Sequence, residues 1–473
     1  MERIKTDICV IGAGSGGLSV AAGAVQMGAR VVLIEGHKMG GDCLNYGCVP
    51  SKALIAAAKH AHAMTSGSPF GVAPVEPQVS FSAAKDHVRR VIEAIEPLDS
   101  QERFEGLGVR VIRDWARFLS PTEVEAGGHV IEARRFVVAT GSSPLVPPIP
   151  GLDAVPYLTN ETIFELRERP EHLLIIGGGP IGMEMAQAHR RLGSKVTVIE
   201  GMKALGKDDP ECAAIVLDRL RAEGIEIAED ALADEITGTE GSVRVTAKDG
   251  RTFEGSHLLV AVGRKVNLER LDLARAGVEH DRRGVKVGAD LRSVSNRRVY
   301  AVGDAAGGLQ FTHVAGYHAG IVIRSALLGL PAKAKTSHLP WATYSDPELA
   351  QVGLTEAEAR KVHGQRLAVV RWHYAENDRA QAEGRTTGLV KVMVVKGRPV
   401  GATIVGAQAG ELIGLWAMAL ANGLKMSAIA NTVLPYPTLG EVNKRAAGAY
   451  FSPKLFDSPW LKGGVRLVQR LLP

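Results

Sequence analysis

Residues 7–35 read DICVIGAGSGGLSVAAGAVQMGARVVLIE, and this stretch decides the fold. Asp7 to Ile11 is a short apolar strand. Gly12-Ala13-Gly14-Ser15-Gly16-Gly17 supplies G-x-G-x-x-G, an alanine-rich helix runs to Met27, and Arg30 to Ile34 is a second strand closing on Glu35. Such a motif carries information only between a strand and a helix, which is its place here. The unit recurs. Leu173 to Ile176 is apolar, Gly177-Gly178-Gly179-Pro180-Ile181-Gly182 repeats the motif, a helix runs to Leu192, and Lys195 to Ile199 ends on Glu200. In both copies the last glycine stands 18 residues before the acid, Gly17 to Glu35 and Gly182 to Glu200. Gly12, Gly14 and Gly17, and again Gly177, Gly179 and Gly182, let the backbone approach a pyrophosphate resting on a helix N-terminus. Each acid accepts hydrogen bonds from an adenosine ribose. Two units imply two dinucleotides. Glu200 disfavours a 2′-phosphate and has no Arg directly beside it, so the second unit reads as NAD-binding rather than NADP-binding, although Lys203 lies nearby in sequence. A kinase glycine loop is excluded, because no HRD or DFG companion exists.

The remaining composition bounds the answer. A chain of 473 residues is long enough for about three domains. With 23% charged and 45% hydrophobic residues it reads as globular, neither disordered nor collagen-like. A formal charge of +5 on so long a chain, with no RRM, zinc-finger or helix-turn-helix pattern, argues against nucleic acid. The 22 uncharged residues from Ile8 to Ala29 have the length of a membrane span, yet they hold six glycines and lack the leader and cleavage pattern of a signal peptide. A cytoplasmic protein is expected. From Trp341 onward, the strands Leu389 to Val395 and Val400 to Val405 and the helix Glu411 to Leu424 suggest a separate domain. That helix is apolar nearly all round, so it is buried in its own core or against a second subunit.

Four cysteines cannot build a secreted disulfide framework. Cys9 and Cys212 read as ordinary packing. Cys43 and Cys48 lie in GGDCLNYGCVPSK, residues 40–52. Five residues apart on a regular helix, their Cα atoms would be roughly 8.7 Å from each other, beyond the ~4.4–6.8 Å of a disulfide. The segment must therefore kink if they bond, and Gly47 supplies the freedom. Pro50 suits the first turn of a helix beginning there, which puts Cys48 at a helix N-terminus, where the dipole favours a reactive thiolate. Two buried structural thiols are the plain alternative. A zinc site lacks its other ligands, and no metal site is expected.

CLNYGCVPSK resembles the redox-active segment of the flavoprotein disulfide reductases: dihydrolipoamide dehydrogenase, glutathione reductase and mercuric reductase. The resemblance covers nearly the whole chain. Ala139-Thr140-Gly141 followed by PLVPPIPG resembles the second flavin motif, and Ala261-Val262-Gly263-Arg264 the close of the NAD domain. Val302-Gly303-Asp304 resembles the segment that holds the flavin's ribityl chain, and Pro437-Thr438 with Glu441 the C-terminal signature. The implied fold is α/β, with two Rossmann-like domains for FAD and NAD and a C-terminal α+β dimerisation domain. Its parts would be residues 1–150 and 271–335 for FAD, 151–270 for NAD, 336–450 for the interface and 451–473 for a basic tail. The resemblance implies a homodimer whose C-terminal domain completes the partner's active site. It assigns FAD to Gly12, Gly14, Gly17, Glu35, Lys52, Ala116, Thr140, Gly141, Gly303 and Asp304. NAD(H) goes to Gly177, Gly179, Gly182, Glu200 and Gly263. It also implies the chemistry. NADH reduces the flavin, which opens a Cys43–Cys48 disulfide. Cys48 is the thiolate facing the flavin and Cys43 the sulfur that attacks substrate, an exchange that needs an accessible attacker. Lys52 matches the lysine beside the reactive flavin nitrogen, and Glu184 the acid that pairs with it.

One departure bears on substrate. Lipoamide- and glutathione-type members carry His-Pro-Thr in the C-terminal signature, with a Glu orienting the His. Here Glu441 is present but Tyr436 stands in the His position, and residues 374–473 contain no His. Imidazole shuttles protons near neutrality, whereas a phenol with a pKa of about 10 stays protonated. His313 or His373 would have to enter from elsewhere in the fold. Tyr436 resembles mercuric reductase, whose substrate is a thiol-bound metal ion; however, no Cys follows Cys212 to supply that enzyme's C-terminal pair. The acceptors to consider are a metal–thiol complex, a small disulfide including lipoamide, and quinone or oxygen reduced directly from the flavin. The tail from Pro453 carries Lys454, Lys462, Arg466 and Arg470 against Asp457, with apolar residues between them. Such a tail ordinarily packs on its own protein; the alternative is a peripheral contact with an anionic membrane.

Overall fold

A computed structural model describes residues 2–472. Strand β1 (Glu2–Ile11), helix α1 (Ser15–Gln26) and strand β2 (Val31–Ile34) form the first unit read from sequence. β1 pairs in parallel with β2 on one side and with His129–Val138 on the other. Val299–Ala301 adds a further parallel strand to His129–Val138. The pleat then sorts the side chains. Cys9, Ile11, Val32 and Ile34 enter one core, while Ile8, Val10, Val31 and Leu33 enter the other. A sheet buried on both faces needs such continuous apolar strands.

The second unit repeats the design, with His172–Ile176, Pro180–Arg191 and Lys195–Ile199. His172–Ile176 lies between Lys195–Ile199 and His257–Val260, all parallel. A three-stranded antiparallel sheet follows over Ala233–Thr239, Ser242–Ala247 and Thr252–Gly255.

The chain divides into two compact units. Both glycine-turn units fall in residues 1–67, 73–201 and 230–335. Residues 68–72, 202–229 and 336–473 make the other unit. Within it Asp209 and Glu211 pair over long range with Lys391, which no local pattern displays. This second unit has a five-stranded antiparallel sheet in the order Pro340–Thr343, Glu348–Gly353, Arg398–Gly406, Leu389–Val395, Leu367–His373.

The apolar helix, Ala409–Asn422, buries Ile413 and Trp416 in the unit's own core, and the Trp416 indole N–H donates to Asn443 Oδ1 at 2.8 Å. Met418, on another face, is 55% exposed in the single chain. The tail does not follow the ordinary expectation for such a segment. Ser452–Phe456 and Pro459–Leu471 are helices without a buried residue. Among the described residues, no helix is long and apolar enough to cross a membrane.

Candidate active site

The cysteine segment is two helices separated by a break. Helix α2 (Gly41–Asn45) ends at Tyr46, and helix α3 (Cys48–Thr65) begins at Cys48, two residues before the start that Pro50 suggested. Between them Gly47 takes φ −120° and ψ −108°, outside the helical region. A Cβ there would lie 2.7 Å from Asp42 Oδ2 and 3.1 Å from Asp42 O, so a larger residue would have to push the Asp42 carboxylate aside. Asn45 clamps the segment from below, its amide donating to Met39 O at 3.0 Å and Gly41 O at 2.8 Å.

The break brings the two sulfurs within hydrogen-bonding reach, with no disulfide joining them here. The Cys43 thiol donates to Cys48, and this bond is the largest cause of a Cys48 pKa lowered to about 6. Burial opposes the fall, while the Thr312 hydroxyl, 3.5 Å from Cys48 Sγ, and the Lys52 ammonium reinforce it. Cys43 moves the other way: the same hydrogen bond holds its proton, and burial and the Cys48 charge add to the rise. Cys9 and Cys212 are buried, and burial raises both thiols.

These opposite shifts have a measurable consequence. In the dithiol protein, Cys48 is a thiolate above pH 6 and a thiol below it, so its iodoacetamide alkylation should rise through a midpoint near 6 and then level off. Cys43 should remain unreactive until strongly alkaline pH. Lys52→Met should move the Cys48 midpoint upward. Peptide mass spectrometry after timed alkylation reads both sites; equal reactivity of the two sulfurs at pH 7 would contradict the assignment.

Lys52, one turn after Cys48, meets Glu184 of the helix Pro180–Arg191, with Nζ 2.8 Å from Oε2. The Glu184 side chain is only 6% exposed, so its charge needs this cation. Asp42, the neighbour of Cys43, belongs to a network that sequence reasoning missed. Arg264 donates to Ser142 Oγ and to Ser142 O, both at 2.7 Å, and its guanidinium is 3.0 Å from Asp42 Oδ1. Ser142 donates to Asp304 Oδ2, and the Asn160 amide reaches both Asp42 Oδ1 and Tyr46 O. Burial raises the Asp304 pKa, against the pull of Ser142 and Arg264. Arg264 does close a sequence motif, but nothing local marks Ser142, Asn160 or Thr312.

Tyr436 and Glu441 belong to the second unit. The Tyr436 hydroxyl donates to Asp378 Oδ2 at 2.8 Å, and this bond raises its pKa. Glu441 begins the helix Glu441–Ala449 and acts on the phenol only through its charge. Asp378, 58 residues before Tyr436, had no signal in the sequence.

A family model described as pyridine nucleotide-disulphide oxidoreductase matches residues 6–319. The chain belongs to the pyridine nucleotide-disulphide oxidoreductase family. The family's dimerisation-domain model matches residues 339–447, which supports a homodimer. A mercuric reductase of Streptomyces lividans is 35% identical over 94% of this chain and 96% of its own length. A dihydrolipoyl dehydrogenase of Bacillus subtilis is 31% identical over 92% and 96%. Among solved structures, LpdA of Mycobacterium tuberculosis matches with TM-score 0.86 and 26% identity, over 95% of this chain and 99% of its own. The HOCl-induced flavoprotein disulfide reductase RclA of Escherichia coli matches at 0.83 and 28%, over 93% and 99%. A Cu(II) complex of RclA matches at 0.83 and 27%, over 94% and 99%. This family member is therefore a flavoprotein disulfide reductase with an α/β dinucleotide-binding part and a dimerisation domain.

FAD and a pyridine nucleotide are the family's cofactors, and the residues present suit them. At the first glycine turn, a Cβ on Gly12 (φ +107°) would sit 2.3 Å from Ala139 O, and one on Gly17 only 1.8 Å from Gly12 O. Gly14 meets nothing closer than 3.9 Å, which leaves its backbone open to a ligand. Gly177, Gly179 and Gly182 repeat these roles, with 2.4 Å to Ala261 O, open space, and 2.0 Å to Gly177 O. Neither following helix has a side-chain cap or an acid in its first turn, so both present bare N–H groups to an anion. Glu35 and Glu200 are held alike, accepting from Ala13 N–H and Gly178 N–H at 2.6 Å. Thr140 Oγ1 is buried without a hydrogen-bond partner, as a cofactor-facing hydroxyl would be. Gly141, Gly263 and Gly303 all have positive φ. Ala116 is buried in the core, so its side chain is not open to a ligand.

Proposed function

We propose that the protein moves electrons from NADH, through FAD, to a Cys43–Cys48 disulfide and on to a thiol-bound metal ion or a small disulfide, with the metal the better acceptor. The observation that carries this reading is the pair of sulfurs set across one backbone break with opposite acidities, beside the Lys52–Glu184 pair. Bound FAD would supply two-electron transfer between the nicotinamide and sulfur. The residues do the rest. Opening the disulfide takes two electrons and one proton. Cys48 leaves as a thiolate stabilised by Thr312 and Lys52, and Cys43 takes the proton. Lys52, anchored by Glu184, and Asp304, anchored through Ser142 to Arg264, would hold the isoalloxazine and ribityl ends of bound FAD.

The preference for metal follows from the proton on Cys43. Attack on a disulfide needs a base to remove it. Tyr436, whose phenol Asp378 keeps protonated, is not one at neutral pH. A soft metal ion held by two small thiols needs no such base: each new metal–Cys bond releases one small thiolate, which can take up the displaced proton. The similarity to mercuric reductase and to RclA, solved as a Cu(II) complex, supports this reading. Glu200, fixed at the second glycine turn, supports NADH over NADPH.

Turnover of glutathione disulfide or dihydrolipoamide is expected to fall about 10²–10⁴-fold below that of a metal–thiolate complex, the range a missing general base accounts for. Steady-state assays with NADH and each acceptor compare them; a lipoamide rate equal to the metal rate defeats the preference. The electron path itself is tested by anaerobic NADH titration. Uptake of four electrons, with long-wavelength absorbance after the first two, is expected. Saturation at two electrons would remove the disulfide from the path.

A further inference from the structure

From Ser458 to the C-terminus the chain reads SPWLKGGVRLVQRLLP, with three cations and no acid. Residues 459–471 are helical, with the Ser458 hydroxyl accepting from Leu461 N–H at the N-terminus. At 100° per residue, Trp460, Leu461, Val465, Leu467, Val468 and Leu471 occupy one arc of about 160°. Lys462, Arg466, Gln469 and Arg470 fill the opposite face. Every residue from 459 to 472 is exposed, and Trp460 is 91% exposed. The apolar arc therefore finds no cover on its own chain, although its segregation from the charges is complete.

We propose that this helix is a membrane-docking element that seats the protein on an anionic lipid surface. Its length, about 20 Å at 1.5 Å per residue, is too short to span a bilayer but suits a helix lying in the interface plane. An indole at one end is a preferred headgroup-level anchor. The three cations, with no acid among them, complement a negative leaflet and would repel a basic partner surface. Lys462, Arg466 and Arg470 extend toward phosphates while the apolar arc enters the acyl boundary.

The test uses the full-length, FAD-loaded protein and vesicles of phosphatidylcholine with or without one third phosphatidylglycerol. Co-sedimentation is expected with the anionic vesicles only, reversed by high salt. Ending the chain at Ser452, or combining Leu467→Asp with Val468→Asp, should lower the partition coefficient at least about ten-fold. Combining Arg466→Glu with Arg470→Glu should lower it about five-fold or more per cation removed. All these side chains are exposed, so NADH oxidation should be unchanged. Equal sedimentation with and without the tail would overturn the proposal, as would a full-length protein that stays in the supernatant. A truncated chain that loses its dimer, together with a full-length protein that ignores vesicles, would assign the face to a second copy instead.

Discussion

Replacing Cys43 with Ser should abolish turnover with metal–thiolate and disulfide acceptors, by about 10³-fold or more, while NADH-driven reduction of a quinone or of oxygen persists. Two physical facts set this expectation. Only Cys43 can close the disulfide with Cys48, because the remaining cysteines, Cys9 and Cys212, are buried away from them. A serine hydroxyl in place of the Cys43 thiol would neither form that bond nor act as a soft ligand. A Cys43→Ser protein that retains metal turnover would show that the flavin serves the acceptor directly and that the sulfurs are secondary. Loss of quinone reduction along with metal reduction would indicate damage to the cofactor sites, which the visible spectrum of bound flavin reports independently.

The second large effect lies in the unit that carries the dimerisation domain. Lys391 is 3% exposed and its Nζ meets both Asp209 oxygens at 2.8 Å, Glu211 at 2.7 Å and Glu356 at 2.8 Å. Asp209 is 1% exposed, and it also caps the helix Pro210–Ala222 by accepting from Glu211 and Cys212 N–H. Lys391→Met keeps the side chain's bulk but leaves Asp209 buried without a cation. Arg371 still answers Glu211 and Glu356, so the deficit falls on Asp209 alone. Breaking one side of such a pair destabilises by about 3–5 kcal/mol. Hydrogen exchange in the strand Leu389–Val395 should show it locally, and adding Asp209→Asn should restore most of the loss. Unchanged exchange in the single variant would mean that solvent reaches this cluster. The cluster also resists acid. The Arg371 hydrogen bonds hold Glu211 down to about 2 despite partial burial, so its contribution is complete above the ordinary Glu range and fades only as pH falls toward 2.

What the sequence disclosed follows from which forces are local. Each glycine turn is dictated within six residues by backbone sterics, so both units were legible, down to the strand Lys195–Ile199. The need for a kink between Cys43 and Cys48 was equally local, since helical spacing alone demands it. The start of α3 was displaced because Gly47 breaks the chain immediately before Cys48 and leaves Pro50 in the third helical position. The pairs joining Asp209 to Lys391, Arg264 to Ser142 and Asp42, and Tyr436 to Asp378 were not legible. Their partners lie on elements distant in sequence, and periodicity records which face is apolar but not which charge stands opposite. Lys52 and Glu184 are 132 residues apart and came through family resemblance, not pattern.

The guanidinium of Arg264 gathers three remote stretches of chain: the short helix that carries Asp42 and Cys43, the strand bearing Ser142 and, through that serine, the segment of Asp304. Mechanically this is a single rivet. Heat or denaturant that works it loose should free the cysteine-bearing segment and the Asp304 segment together, so loss of prosthetic group and loss of thiol chemistry are expected to share one lifetime.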